Sequence, residues 1–441
     1  MSKVTFINHS SILFSLGKNN KIFLTDFWFQ SPAFGSWLPS APPIYHPNYL
    51  ASLSFQKNFY LVISHAHDDH IDDNYLKNYF NINTKVIINK FSGPSLLKRI
   101  QRLGFKNIIQ VDSKGVTIED VKILSIHNKK ISNDDAALIL KDKKYCVYHG
   151  NDNWFKLEKD NVKRIKSFAN KRKFLFASQT NSASGFPITY PQFKKDKTKE
   201  LKNKVKKMLL TGLENCKKVK ADYFLPYAGY STPYVNNFNY NNELFHPTYR
   251  NLKKLLPMKN KKLLNIFCGG TIDLESGKIS YPFNFDPKDL INITDKYYKN
   301  EKIIDSCDTY KKDFIKKKTN KQELKRYMNL FNKFVSSYME RFPNFYSSVI
   351  GKTLRFSISD KEKILFSHSI KIGSKSLFNG TRCNKEFIIS SNLFKLVIDK
   401  KITFENLYTG YESIIKRHPK NIYNRDIIIY LIMFGYKFYN S

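Results

Sequence analysis

The sequence predicts a layered α/β domain at the N-terminal side, followed by a smaller, mainly helical module. Three observations carry this expectation. Apolar runs of strand length alternate with helical stretches through residues 1–290. One run, Phe59–Ser64 (FYLVIS), is apolar up to its closing serine, as a strand buried on both faces should be, and it leads straight into a group of histidines. The chain has 441 residues, more than the roughly 250–300 that one core supports, so a second module at 291–441 is expected.

Taken in order, Val4–Ile7, Ile12–Leu16 and Ile22–Thr25 read as short strands, with Gly17-Lys18-Asn19-Asn20 turning between the last two. The Pro-rich Ser31–Pro47 segment reads as a loop without regular structure. Lys85–Asn89 is a strand and Ser92–Leu103 a helix; Gly104–Val111, Val116–Ile118 and Val121–Ile126 continue the strand series, then Ala136–Lys141 and Lys144–His149. Between Phe193 and Lys218 the pattern becomes an amphipathic helix, with Leu201, Val205, Met208, Leu209 and Leu213 on or near one face. Strand-like Tyr223–Pro226 follows, then a Gly/Asn/Tyr-rich loop. A Lys-rich helical stretch, Phe314–Phe334, lies in the C-terminal module, and no internal repeat is visible.

Composition excludes several classes. Hydrophobic residues make up 41% and aromatics 15%, too many for a disordered polycation. The five cysteines are scattered without a CxxC pair, which points to reduced thiols in a cytoplasm rather than a disulfide framework. Polar Asn8-His9-Ser10-Ser11 interrupts the first apolar stretch, so no secretory leader is expected. The longest apolar run, Ile427–Phe434, falls far short of the roughly 18 residues that span a bilayer. A soluble cytoplasmic protein is the expectation. The formal charge of +37 comes from lysine spread along the whole chain together with abundant Asn, Ile, Phe and Tyr, the pattern of an AT-rich coding sequence. Arginine forks suited to gripping phosphates are few by comparison, so an anionic small substrate or a membrane surface is favoured over nucleic acid.

One motif carries chemistry: His65-Ala66-His67-Asp68-Asp69-His70, an HxHxDH cluster at the end of the buried strand. Three imidazoles and two carboxylates packed into six residues are too dense for solvated loop polarity. In a tight turn His65 and His67 can face one metal while Asp69 and His70 face a neighbour. Two metals about 3.5–4 Å apart activate a water between them.

With this motif, the chain resembles the metallo-β-lactamase superfamily. The resemblance implies a four-layer αββα sandwich with a binuclear site at one edge. It also implies further ligands in a fixed order along the chain. His127, closing VKILSI, would join His65 and His67 on one metal. Asp152 would bridge, with Asn151 and His149 as neighbouring candidates for contact. His246 in Phe245-His246-Pro247 would join Asp69 and His70 on the other metal, although a helix-capping or pocket-lining role fits it equally. His149 reads as a satisfied strand-end residue. Asp26 matches the family's carboxylate that orients a metal-bound histidine, against a strand-end turn residue as the plainer reading.

A closer resemblance, to the CMP-N-acetylneuraminate hydroxylase branch, rests on runs in conserved order: Gly35-Ser36-Trp37-Leu38-Pro39, Ala183-Ser184-Gly185-Phe186-Pro187, Pro226-Tyr227-Ala228-Gly229-Tyr230, Gly270-Thr271-Ile272-Asp273-Leu274 and Glu405-Asn406-Leu407-Tyr408-Thr409-Gly410-Tyr411. That branch carries a Rieske domain, whose two-iron cluster needs Cys and His ligand pairs; no such pairs stand here, and Cys146 with His149 is the nearest approach.

The implied cofactors are two divalent metal ions, Zn or Fe, with Mn also suited to such donors. The expected activity is a binuclear hydrolase attacking an ester, amide or phosphodiester centre of an anionic substrate with a metal-bridging hydroxide. Asp69 or Asp152 would orient the nucleophile and relay a proton. The alternative is an iron-dependent oxygenase of a nucleotide-linked or glycan sugar, which needs an external reductant. Trp37, Tyr227 and Tyr230 are candidates to shape the pocket, or else simply to pack.

Overall fold

A computed structural model describes residues 3–29, 31–39, 44–127, 135–180, 184–186, 188–191, 197–233, 263–282, 317–337, 346–374, 383–410, 412–419 and 425–439. By its internal packing the chain divides into two units. One comprises Met1–Ala33, Trp37–Ala183 and Thr198–Ser306; the other comprises Phe34–Ser36, Ser184–Lys197 and Cys307–Ser441.

In the first unit, β1 (Lys3–Asn8), β2 (Ser11–Leu16) and β3 (Lys21–Thr25) form an antiparallel meander. β4 (Trp37–Pro39) follows, then α1 (Pro47–Ser52), β5 (Phe59–Ile63), α2 (Asp73–Tyr79), β6 (Lys85–Asn89), α3 (Ser95–Arg102) and β7 (Ile108–Val111). β3, β5, β6 and β7 run parallel, which requires crossovers, and α1, α2 and α3 supply them. Two of these starts have a local cause: Pro47 pre-sets the first turn of α1, and the Asp72 carboxylate accepts the Tyr75 N–H at the head of α2.

A second sheet contains β8 (Val116–Ile118), β9 (Val121–His127), β10 (Ala136–Lys141) and β11 (Tyr145–His149) in antiparallel order. After α4 (Lys159–Ala169) comes β12 (Lys173–Gln179), and after α5 (Lys197–Val219) comes β13 (Tyr223–Tyr227), both parallel to β11. β14 (Ser231–Pro233) pairs with β4 in a separate ribbon. β15 (Thr271–Asp273) and β16 (Ile279–Ser280) close the first sheet beyond β1.

The alternation of side chains shows how the layers stack. In β5, Tyr60 and Val62 enter the same core as Leu138 and Leu140 of β10, so the two sheets pack face to face. Phe59, Leu61 and Ile63 turn the other way, onto Leu76 of α2 and Leu96 and Ile100 of α3. Ala137 and Ile139 of β10 turn onto Ile165 of α4 and Val205, Leu209 and Leu213 of α5. The first unit is thus a four-layer αββα sandwich. Each such fully buried aliphatic or aromatic side chain contributes about 1.5–3 kcal/mol of transfer free energy.

In the second unit, α6 (Lys321–Ser336) starts at a capping box between Asn320 and Glu323. β17 (Thr353–Asp360) and β18 (Lys363–Lys371) form a hairpin, and β19 (Lys385–Ser390) runs parallel to β17. α7 (Ser391–Ile398), α8 (Phe404–Thr409), β20 (Ser413–Arg417) and α9 (Arg425–Tyr439) complete it, with sheet order β18-β17-β19-β20. Tyr327, Phe331, Phe356, Phe387, Phe394 and Phe434 meet in its core. This sheet is absent from the expectation of a mainly helical module, because Ser and Lys interleave with the apolar residues of β17 and β18. The Pro-rich segment expected to be irregular contributes β4; Pro39 is tolerated because it ends a strand in a two-stranded ribbon. Among the described residues no helix is long and apolar enough to cross a membrane, and the four described cysteines are buried and unbridged.

Candidate metal centre

Strand ends from both sheets of the sandwich bring the chemistry together. His65–His70 follows β5, Asp26 follows β3, His149 ends β11 with Asp152 just beyond, and His9 sits in the turn between β1 and β2. Two groups of ligand-type atoms result, each within 4.8 Å of one another: His65, His67 and Asp152, and His9, Asp69 and His70.

Asp152 stands between them. Its Oδ2 lies 3.6 Å from both His65 Nε2 and His67 Nδ1, and its Oδ1 lies 3.3 Å from His70 Nε2. Gln179 Nε2 donates to the same Oδ1 at 2.7 Å and fixes the carboxylate plane. His65 Nε2 and His67 Nδ1 are 2.7 Å apart.

Asp26 organises the imidazoles from beneath. It is fully buried, and its Oδ2 accepts from His70 Nδ1 and His149 Nε2, each at 2.8 Å. The Ser64 N–H donates to Oδ1 and the Ser64 hydroxyl to Oδ2, both at 2.8 Å. With its proton committed to Asp26, Ser64 Oγ accepts from His65 Nδ1 at 2.8 Å. One carboxylate therefore sets the tautomers of His65 and His70 and turns both Nε2 lone pairs toward the site. On its far side His149 Nδ1 accepts from the Tyr227 hydroxyl at 2.6 Å, whose oxygen takes the Asn151 N–H at 2.8 Å. Backbone strain gathers in the same place: His9, Asp26 and Asn151 all hold left-handed φ angles, of 34°, 38° and 39°.

The charges are strongly coupled. Burial alone would raise the carboxyl of Asp26, but the His149 and His70 imidazoles hold it far below the usual carboxylate range. Asp152 behaves likewise, its burial overridden chiefly by His70 and then by hydrogen bonds from His65 and His67. Burial pulls His70 down, yet Asp152, Asp26 and Asp69 carry it well above the ordinary imidazole value. His65 is lowered, first by burial and then by His70 and His67.

The donor set fits divalent cations. His9 Nε2, His70 Nε2, Asp69 Oδ1 and Asp135 Oδ1 are buried with no hydrogen-bond partner, and a buried polar atom is rarely left so without a ligand to complete it. His65, His67, Asp69, His70 and Asp152 could hold metal, as could His9.

The expected His127 joins neither group. Its Nε2 lies 3.0 Å from Ser125 Oγ, its ring meets Phe91 edge-on, and its carbonyl accepts from Asn161. Asp135, just before β10, instead approaches His65 Nε2 at 4.0 Å. His246 lies outside the described residues. His149 is satisfied at both ring nitrogens, and Trp37, Tyr227 and Tyr230 are buried. His9 and Asp135 are what sequence spacing does not reveal; the one available signal was an isolated His in a polar turn between two strands.

No family model matches the chain. It is 27% identical to a Mycolicibacterium smegmatis protein described as a Rieske 2Fe-2S iron-sulfur protein, over 158 residues that are 34% of this chain and 29% of that protein. The match thus spans less than a third of that relative's length. Among solved structures, it is similar to the isothiocyanate hydrolase from Delia radicum gut bacteria, at 14% identity and a TM-score of 0.41, covering 61% of this chain and 98% of that one. It is also similar to CmlA, a diiron β-hydroxylase from Streptomyces venezuelae, at 11% identity and a TM-score of 0.35, covering 51% of this chain and 44% of that one. The metallo-β-lactamase fold protein YhfI from Bacillus subtilis aligns at 16% identity and a TM-score of 0.32, covering 58% of this chain and 93% of that one.

Proposed function

We propose that the protein is a binuclear metal-dependent hydrolase acting on an ester, amide or phosphodiester centre of an anionic substrate. The observation that carries this reading is the division of Asp152, whose two carboxylate oxygens face two different groups of imidazoles. Asp152 is thus placed where two cations, when bound, could share it. His65, His67 and Asp152 would hold one ion, and Asp69 and His70, with Asp152 shared, the other. Divalent ions there supply Lewis acidity and lower the pKa of water toward neutrality. The chain's own part is to orient and to hold protons. Asp26 keeps His65 and His70 in the tautomers that present Nε2, Gln179 fixes Asp152, and Asp69 or Asp152 orients the attacking water and relays its proton to the leaving group. The lysine-rich surface favours approach of an anion.

A second reading has its own support. Both groups consist of two histidines and one carboxylate, a donor set used by non-haem iron enzymes that activate oxygen as well as by zinc hydrolases. An iron-dependent oxygenase acting on a nucleotide-linked sugar, fed by an external reductant, would use it. Elemental analysis of protein purified without added metal, with turnover of aryl ester and phosphodiester probes under nitrogen and under air, separates the two. About two zinc or manganese ions per chain and oxygen-independent turnover support the hydrolase. Two irons with an oxygen-dependent spectral change overturn it.

A further inference from the structure

We propose that His9, from the turn between β1 and β2, is a ligand of the second metal. This rests on the binuclear reading above and adds a residue from the far N-terminus to it.

The His9 imidazole is 3% exposed, and neither ring nitrogen has a hydrogen-bond partner. Its Nε2 lies 3.4 Å from Asp69 Oδ2. Across from it, His70 Nε2 and Asp69 Oδ1 are also buried and make no hydrogen bond, with a carboxylate oxygen of Asp152 3.3 Å from His70 Nε2. Three residues thus place donor atoms within 4.8 Å of one another. An imidazole that only filled space would pack its carbon edges inward and keep a nitrogen toward a polar neighbour or water. Here the rings of Trp28 and His70 meet His9 edge-on at centroid distances of 5.1 and 5.6 Å and leave Nε2 directed at the carboxylate.

The backbone holds the side chain there at a cost. His9 adopts a φ of 34°, a left-handed conformation that few non-glycine residues take. Its carbonyl accepts the Ala228 N–H at 2.7 Å, and Ala228 is itself left-handed. The flanking residues are tied to the elements that carry the site: Asn8 Nδ2 donates to the Trp28 carbonyl at 3.1 Å, Ser10 Oγ lies 3.1 Å from His70 Nδ1, and the Ser11 hydroxyl donates to the Asp26 carbonyl. The turn is therefore pre-organised to deliver an imidazole to His70 and Asp69.

The test is metal titration of chelator-stripped full-length protein with Zn²⁺ and Mn²⁺, followed by calorimetry and elemental analysis after gel filtration. Wild type should take two ions per chain. His9→Ala should keep one and lose at least ~10-fold in affinity for the other, and His9→Gln should recover part of that loss. Circular dichroism and melting of the metal-free variants check the fold. His67→Ala should weaken the first site instead. Two ions with unchanged affinities in His9→Ala would overturn the assignment of His9 while leaving the binuclear reading intact. Wild type that takes no metal overturns the binuclear reading, and this inference with it.

Discussion

Replacing Asp26 by Asn tests the organisation of the site without touching a residue that would hold metal. The carboxylate is fully buried and accepts four hydrogen bonds, from His70, His149 and both the amide and the hydroxyl of Ser64. An amide has one acceptor oxygen, so at least one N–H must face another donor, and at least one imidazole N–H loses its acceptor. Breaking a buried, hydrogen-bonded pair by removing one partner costs about 3–5 kcal/mol. The first unit comprises about 290 residues; at an unfolding entropy near 2.1 cal/mol/K per residue, that cost lowers the melting temperature by roughly 5–8 °C. Scanning calorimetry of metal-free protein is the assay. The pH dependence has a definite sign. Asp26 has a depressed folded value, so its stabilisation is present above the unfolded carboxylate value near 4 and fades as pH falls toward the folded value. His70 is raised, so its share is complete below about 6.5 and fades as pH rises through its folded value. The gap between wild type and Asp26→Asn should be widest between about pH 4 and 6.5. A gap below 2 °C, or one that widens as pH falls from 4 to 3, refutes the argument.

His67 is the least buried of the three motif histidines, so His67→Ala should melt within about 3 °C of wild type while elemental analysis shows the loss of bound metal. Arg99 ties down the motif loop through the Ala66 and Ile71 carbonyls, Asp68 and Asp73; Arg99→Ala should weaken metal affinity about tenfold in a chelator competition assay. Tyr227→Phe strips the hydroxyl that serves His149 and Asn151 and leaves a buried N–H unpaired; denaturant titration should show a loss of about 1–3 kcal/mol. A Cβ at Gly212 in α5 would stand 2.5 Å from Phe224 Cζ, so Gly212→Ala should cost about 1–3 kcal/mol by overpacking, outweighing the helix-propensity gain of alanine.

Much of the sandwich was legible because both sheets are buried on two faces. Unbroken runs such as FYLVI and AALIL declare themselves wherever they sit, and their strands fall within a few residues of where the apolar runs lie. The C-terminal sheet was not legible, since β18 buries only Ile370 well and its pattern resembles a solvated segment. The same division holds at the site. His65, His67, Asp69 and His70 lie in one loop, so spacing alone marks them as candidates, and Asp152 follows the end of β11 by a few residues. His127 shows the limit of spacing, because Ser125, two residues back on the same strand face, takes its Nε2.

By itself the sequence determined the alternation that makes two doubly buried sheets and the dense His/Asp loop at the end of β5, both written in contacts between near neighbours along the chain. Only the tertiary structure decided which distant polar groups complete that loop. His9 lies 60 residues from Asp69, and Asp135 lies 70 residues from His65 and beside the other sheet. What joins them is the lateral order of the strands, β1 and β2 beside β3 and β5 in one sheet and β10 beside β11 in the other. That order follows from packing across the whole core, and no local spacing encodes it.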